Sequence, residues 1–148
     1  DRSRGLGDVY KRQLLQNDCR ATLKVIGEQV GLTAPAVSER IRRMEETSVI
    51  RSFRIDVDRR QLDSNITGFI LVAPEPDKYE RFCRFCEKTP AILSHSHTIG
   101  IFNAVLRFAV RDTQELDAIL SSIKRYGNSQ TSVELGLYFD HKDIPLPD

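Results

Sequence analysis

Two cysteines and two histidines have spacings that suit metal or redox chemistry. Cys83 and Cys86 form a C-x-x-C motif, and His95 and His97 form an H-x-H motif. Together they could supply four zinc ligands, and the cysteines alone could act as a thiol redox pair. The cysteines also continue, with Phe82, an apolar stripe at helical spacing, and free cysteine packs as a small hydrophobic side chain. We therefore interpret them as core residues and predict no metal site and no cofactor.

The sequence contains no pattern that is typical of an enzyme. No Ser/His/Asp arrangement, paired carboxylates or phosphate-binding glycine loop occurs with usable spacing. An odd number of cysteines, three, does not make a disulfide framework, which favours a reducing cytoplasm. The chain has no hydrophobic signal segment, and no apolar run approaches the roughly 18–20 residues of a spanning helix. These observations predict a cytoplasmic protein that is neither an enzyme nor a membrane protein.

The charge distribution predicts two modules with different partners. Residues 20–60 carry nine Lys/Arg and six Asp/Glu, a balance of +3. Residues 61–148 carry nine Lys/Arg and twelve Asp/Glu, a balance of −3. A basic segment followed by a larger acidic one indicates a polyanion-binding module joined to a second module.

The basic segment has the signals of two helices joined by a tight turn. Thr22 and Thr33 are suitable N-caps for two helices, and Gly31 lies where a helix end favours a left-handed residue. Gly27 costs its helix about 1 kcal/mol relative to alanine, which is tolerable where two helices cross closely. The pattern predicts a helix-turn-helix whose second helix spans residues 34–46.

The outer face of this second helix suits DNA. With Val37, Ile41 and Met44 on the buried side, small and basic side chains point outward, as a major groove about 12 Å wide requires. Residues 49–57 alternate like a strand, whose arginines would form a wing along the DNA backbone. The predicted DNA-contacting residues are Thr33, Ala34, Ala36, Ser38, Glu39, Arg42, Arg43, Arg51 and Arg54. A solvated charged helix face is the alternative.

The helix-turn-helix segment resembles a known family. Residues 22–46, with the runs 26–33 and 37–45, look like the DNA-binding domain of the Lrp/AsnC (feast/famine) transcriptional regulators. The residues after the second helix, 49–51, are similar to the link into that family's wing strand. The resemblance implies a sequence-specific regulator whose partner is double-stranded DNA. The family usually has alanine where this chain has Gly27.

Strand and helix signals alternate over residues 66–140. The predicted strands span residues 66–73, 91–99, 102–110 and 131–139, and the predicted helices span Asp77–Lys88 and Asp112 to about Tyr126, each opened by a D-x-x-E capping box. This βαββαβ order predicts a ferredoxin-like domain, so the fold class is α+β. Both helices would cover one sheet face and leave the other face bare. Because a bare sheet face needs a partner, we predict a homodimer or larger homo-oligomer.

The βαββαβ order and the Gly100 hairpin between the second and third predicted strands resemble the effector-binding and oligomerisation domain of the same family. The resemblance implies a small-molecule effector, an amino acid or a related metabolite, at Thr98, Ile99, Gly100 and Asn103. The family usually has an aspartate where this chain has Asn103. An amide keeps the hydrogen-bonding geometry but lacks the charge that attracts an ammonium group. The alternative is that Gly100 is only a turn residue.

The first thirteen residues show neither a helical nor a strand period and contain two glycines, so we predict no regular structure there. Residues 8–13 resemble the translation of a sequencing-library adapter, which predicts an assembly artefact; a natural basic tail is the alternative. The predicted organisation is a tail (1–13), a helix-turn-helix domain with a wing strand (14–57), a linker (58–65), a ferredoxin-like effector-binding and oligomerisation domain (66–140) and a C-terminal tail (141–148).

Two other functions fit the same order of elements. Siroheme decarboxylases resemble this two-domain layout, and His95 or His97 would then serve a tetrapyrrole. A sensor module that does not bind DNA is the other alternative. The placement of Ser38, Arg42 and Arg43 on one outer face favours a DNA-binding regulator over both.

Overall fold

The structure is a computed structural model that describes residues 2–145, with side chains described from residue 8 onward. The chain divides into two compact units. The first contains the residues up to Asp56 together with the chain from Phe139 onward, and the second is Val57–Tyr138. No helix among the described residues is long and apolar enough to cross a membrane.

Three helices build the first unit. They are α1 (Arg2–Asn17), α2 (Leu23–Val30) and α3 (Ala34–Glu46). The Thr22 hydroxyl accepts a hydrogen bond from the Val25 amide at 3.2 Å, and the Thr33 hydroxyl accepts one from the Ala36 amide at 3.4 Å. Gly31 ends α2 with a φ of +71°. Both predicted caps and the left-handed turn residue are confirmed, so the predicted helix-turn-helix is present.

The core of the first unit is small. Leu15, Ile26 and Val37 are buried together, and partly buried residues such as Ile41 pack around them. Met44 is also buried, which confirms the inner side of α3. Leu23, at the start of α2, continues the stripe of Ile26 in sequence but is 39% exposed.

The turn of the helix-turn-helix differs from its prediction in one contact. A Cβ atom added at Gly27 would lie 2.4 Å from the Leu32 carbonyl oxygen. The close approach is therefore to the backbone of the turn, rather than to the second helix. The side chain of Leu32, whose carbonyl makes this contact, is 37% exposed.

The N-terminal segment is helical, and the prediction of no regular structure there is wrong. Helix α1 begins at Arg2, and its period is not visible in the sequence because a charged residue, Lys11, is buried where an apolar one is expected. Lys11 is only 2% exposed and pairs with Asp8 at 3.2 Å. The same carboxylate lies 3.5 Å from the Arg40 guanidinium of α3, and Leu15 anchors the helix in the core. The resemblance to an adapter remains a hypothesis, tested by resequencing the locus across codon 13.

The wing strand is not present. Residues 51–58 are extended without strand pairing, and the short 3-10 helix Arg59–Leu62 occupies the predicted linker. Alternating residues form a strand only where a partner strand completes the hydrogen bonds. No described residue of the first unit lies in a strand that could pair with them.

The second unit contains the predicted βαββαβ order. Its elements are β1 (Ile66–Pro74), α4 (Tyr79–Lys88), β2 (Ile92–His97), β3 (Ala104–Val110), α5 (Thr113–Ile123) and β4 (Gly127–Val133). The antiparallel sheet has the strand order β2-β3-β1-β4. Buried residues such as Ile70, Leu106 and Phe82 join the sheet to the helices. The ferredoxin-like fold is confirmed.

Several element ends differ from the predicted ones. Helix α4 follows a 3-10 turn, Pro76–Lys78, and no side chain caps it, so the predicted Asp77 capping box is wrong. Asp112 does cap α5, accepting from the Glu115 amide at 2.8 Å. Helix α5 ends before Tyr126, and Gly127 begins the last strand instead of ending the helix. The last strand stops at Val133, six residues before the predicted end.

Candidate nucleic-acid interface and effector loop

Helix α3 presents one face to solvent. Val37 and Met44 are buried on the inner side, and the helical period places Pro35, Glu39 and Arg42 opposite them. Of the predicted DNA-contacting residues on this helix and its cap, Thr33, Ser38, Glu39, Arg42 and Arg43 are exposed, and Ala34 and Ala36 are partly buried.

Two carboxylates hold the guanidinium of Arg42. Its Nε and Nη2 donate to the two Glu39 carboxylate oxygens at 3.0 and 2.6 Å, and its Nη1 donates to Glu46 Oε1. The hydrogen bonds from Arg42 lower the pKa of Glu39, and the hydrogen bond to Glu39, followed by the charges of Glu39 and Glu46, raises the pKa of Arg42. The i, i+3 and i, i+4 spacing is the signal that could have predicted this arrangement.

Arg43 differs from its neighbour. It is exposed, and within the described part of the chain its guanidinium has no hydrogen bond or ion pair. Only its backbone is engaged, because the Arg43 carbonyl accepts a hydrogen bond from the Thr47 hydroxyl at 2.8 Å. The charge of Arg43 acts on the Glu39 carboxylate and contributes to its lowered pKa, but no hydrogen bond ties the Arg43 guanidinium to that carboxylate.

The two predicted wing arginines lie on the extended segment after α3. Arg51 and Arg54 are both exposed. Because no strand forms there, their side chains are not aligned by a sheet. They add positive charge next to the helix-turn-helix without the fixed direction that a wing would give them.

The predicted effector residues lie together in the loop between β2 and β3. The Thr98 hydroxyl donates to the Phe102 carbonyl at 3.1 Å, and the Thr98 amide donates to the Asn103 carbonyl at 2.9 Å. Gly100 has a φ of +144°, which favours glycine, and Ile99 is fully exposed. The side-chain oxygen of Asn103 is buried and has no hydrogen-bond partner among the described residues. This loop therefore holds an acceptor that a ligand donor could satisfy.

The cysteines and histidines of the sequence motifs lie between α4 and β2. Cys86 is part of the core, Cys83 packs against it, and burial raises the pKa of the Cys86 thiol to about 12. Tyr79 and His97 share a hydrogen bond of 2.6 Å between Oη and Nδ1, and the His95 ring contacts Phe82 edge-on. These contacts support the interpretation of the cysteines as packing residues.

One group of side chains has the composition of a metal site. The potential ligand atoms of Asp56, Asp140 and His141 lie within 4.8 Å of one another, and all three residues are exposed. Among the described residues, the cysteines and histidines of the two motifs do not form such a group. We assign no metal to either set, because nothing else at these positions points to an ion.

Comparisons with known proteins cover nearly the whole chain. Residues 13–45 match the model of the AsnC-type helix-turn-helix domain, and residues 67–144 match that of the Lrp/AsnC ligand binding domain. The HTH-type transcriptional regulator FL11 of Pyrococcus horikoshii is 28% identical over 146 residues, which are 95% of this chain and 97% of that protein. The HTH-type transcriptional regulator Rv2324 of Mycobacterium tuberculosis is 31% identical over 133 residues, 86% and 88% of the two chains.

Solved structures show the same fold. A transcriptional regulator from Neisseria meningitidis, solved as a complex with L-Met, superposes with a TM-score of 0.85 at 20% identity. The superposition covers 94% of each chain.

Proposed function

This chain belongs to the Lrp/AsnC family of helix-turn-helix transcriptional regulators, and we propose that it acts by binding duplex DNA through α3 and a small-molecule effector through the loop of residues 98–103. The relatives compared with it are named as transcriptional regulators. We accordingly propose no catalytic step and no resident cofactor. We propose that the protein is located in the cytoplasm, where the DNA is.

The exposed face of α3 carries the DNA-binding half of the proposal. Two threonine caps fix where α2 and α3 begin, so the direction of α3 relative to the turn is defined. The small side chains of Ala34 and Ala36 at its start leave room for base edges, and Arg42 and Arg43 follow on the later turns. A dimer would place two copies of α3 in successive major grooves, about one helical turn apart.

The β2–β3 loop supports the effector half. The unpartnered Asn103 oxygen is an acceptor for an ammonium group, and Gly100, which has no side chain, lets a ligand approach the backbone. The related regulator from Neisseria meningitidis was solved with the amino acid L-Met. Because Asn103 is uncharged, we propose that neutral amino acids such as leucine bind weakly.

The uncovered sheet face supports self-association. Phe69 is 41% exposed on the face opposite the helices, and the strand register places the partly buried Leu71 and Val105 on the same face. An apolar sheet face of this kind is stable when a second copy covers it. We propose that residues 66–140 form the assembly and effector domain of a homodimer or larger homo-oligomer.

A selection from a pool of random duplex DNA tests the proposed function. The wild-type chain should enrich one pseudo-palindromic sequence and bind it in a mobility-shift assay. The double substitution Arg42→Ala/Arg43→Ala should abolish this preference, whereas Arg84→Ala, an exposed arginine on α4 of the second unit, should not change it. Light scattering should give the same assembly for all three chains.

Two outcomes would contradict the proposal. Enrichment of no sequence by the wild-type chain would favour a sensor module that does not bind DNA. Unchanged operator affinity in the double variant would mean that another element contacts the DNA.

A further inference from the structure

The arrangement around Arg42 leaves a defined set of donors. An arginine has five N–H groups, one on Nε and two on each terminal nitrogen. Glu39 accepts from Nε and from Nη2, and Glu46 accepts from Nη1. One N–H on each of the two terminal nitrogens is left over. Two such donors match the O6 and N7 acceptors of guanine in the major groove.

The charges around Arg42 argue against a role in binding phosphate. Glu39 and Glu46 bring two negative charges to one positive charge, and all three side chains are exposed. A phosphate would be repelled by both carboxylates while being attracted by Arg42. Arg43 has no ion pair in the described part of the chain, and only Glu39 acts on it, without a hydrogen bond, so its charge is less compensated than that of Arg42. The two neighbouring arginines therefore suit different targets on DNA.

The position of Arg42 suits the edge of a base. It lies on the exposed side of α3 with Glu39 and Glu46, away from the buried Val37 and Met44. Arg43 lies 100° further round the helix, so the two guanidinium groups leave the exposed side in different directions and can reach different parts of one duplex.

Holding a long side chain before binding improves recognition. A free arginine samples many rotamers, and selecting one on binding costs entropy. The two-point contact with Glu39 fixes the plane of the Arg42 guanidinium, and a planar fork must be correctly oriented to form two hydrogen bonds with one base. A lysine at this position would keep the charge but lose the fork.

We propose that Arg42 reads a guanine edge, that Glu39 is the residue that positions it, and that Arg43 contacts a phosphate. This inference rests on the proposed binding of DNA through α3. To that function it adds the identity of the arginine that determines sequence specificity. It also explains why a negatively charged residue, Glu39, lies on a DNA-binding face.

The test compares two glutamates of the same helix. Glu39→Gln removes the charge that holds Arg42, and Glu45→Gln removes an exposed charge whose carboxylate has no ion pair among the described residues. Both changes reduce repulsion from DNA, so both should tighten binding to unrelated duplex. The probe is the duplex selected from the random pool by the wild-type chain, together with its complete set of single base-pair changes.

For the wild-type chain, we expect replacement of one G·C pair in each half-site to weaken binding about 5- to 150-fold. Glu39→Gln should reduce this discrimination at least about threefold at that base pair alone, because a neutral amide holds the guanidinium less firmly. Glu45→Gln should leave it unchanged. Arg42→Ala should abolish it while leaving the dependence of affinity on salt near the wild-type slope.

Each opposing outcome has a separate meaning. Equal discrimination by Glu39→Gln and wild type, with circular dichroism showing an intact fold, would overturn the role of Glu39. Retained discrimination in Arg42→Ala would overturn guanine reading by Arg42. If the wild-type chain selects no duplex at all, the proposed function itself fails.

Discussion

The two units of this chain hold their functional residues in different ways. Among the described residues, the core cluster of the second unit contains eleven buried side chains, whereas that of the first contains three. The first unit adds charged contacts at its functional residues: Asp8 with Lys11, Asp8 with Arg40, and Arg42 with two glutamates. Since exposed ion pairs contribute little to stability, these contacts orient side chains more than they stabilise the unit, whereas the residues of the second unit are held by a buried core.

The largest expected effect is a cavity in the larger core. Phe82 is fully buried and contacts His95 and Tyr126, so Phe82→Ala should lower the free energy of unfolding by about 3–5 kcal/mol. Urea denaturation followed by circular dichroism measures this loss. Leu62→Ala, at an exposed position of the 3-10 helix Arg59–Leu62 in the same unit, is the control and should cost under about 1 kcal/mol. Equal losses from the two substitutions would contradict the comparison, because burial would then not explain the stability of this unit.

Salt separates the two arginines of α3. Arg43→Ala should weaken binding to every DNA sequence and reduce the slope of log affinity against log salt by about one unit, as expected for one lost phosphate contact. A base-contacting Arg42 should instead cost about 1–3 kcal/mol on the selected duplex. Fluorescence anisotropy at several salt concentrations measures both quantities. A full unit of slope lost in Arg42→Ala, with none lost in Arg43→Ala, would reverse the assignment.

The effector loop should respond to one added charge. Asn103→Asp supplies a carboxylate to an ammonium group, so we expect leucine or methionine to bind about 1 kcal/mol more tightly, as a charge-assisted hydrogen bond replaces a neutral one. Calorimetry on the purified chains measures the change. Asn128→Asp, at the start of β4, adds the same charge elsewhere and should have no effect. Tight leucine binding by wild type, unchanged in Asn103→Asp, would place the ligand elsewhere.

A strained residue at the end of α3 gives a smaller effect. Ser48 has a φ of +61°, a conformation that glycine adopts without steric cost. Ser48→Gly should therefore stabilise the first unit by about 0.5–1 kcal/mol. Ser52→Gly, in the extended segment, should not raise stability, because it only adds freedom to the unfolded chain. Thermal denaturation measures the melting temperature of both variants relative to the wild type. A lower melting temperature for Ser48→Gly would contradict the prediction.

The smallest expected effect is a dependence on pH in the second unit. Burial, together with the nearby charge of His97, lowers the pKa of His95 from its ordinary value of about 6.5. The unfolded chain then binds a proton first as the pH falls, so stability is full above about pH 6.5 and decreases below it. Denaturation at pH 7.5 and pH 5 should show a decrease that His95→Gln reduces and His141→Gln, an exposed control, does not. If His95→Gln shows the same decrease in stability between pH 7.5 and pH 5 as the wild type, the pH dependence comes from other groups.

Much of the fold could be predicted from local signals. Thr22, Thr33 and Asp112 are caps that act within three residues, and each was identified from its spacing. Asp77 failed because Pro76 begins a 3-10 turn before the helix starts. The predicted strand over residues 49–57 failed because alternation does not show whether a partner strand exists.

The charged contacts could not be predicted in the same way. Helix α1 was missed because Asp8 and Lys11 pack as an ion pair where an apolar stripe is expected. At the candidate interface, the sequence predicts that Glu39 and Arg42 both face outward, but it does not show that they pair with each other. Whether two exposed side chains pair depends on rotamers, which the spacing permits but does not decide.

The contact between Gly27 and the Leu32 carbonyl restricts how this chain can evolve. A methyl group at residue 27 would lie 2.4 Å from that oxygen, so alanine is acceptable only after the turn has moved away. The two changes are therefore epistatic: the turn must change before the helix residue. Alanine at residue 27 should therefore lower the stability of this chain as a single substitution, although it is compatible with a different turn in a related sequence.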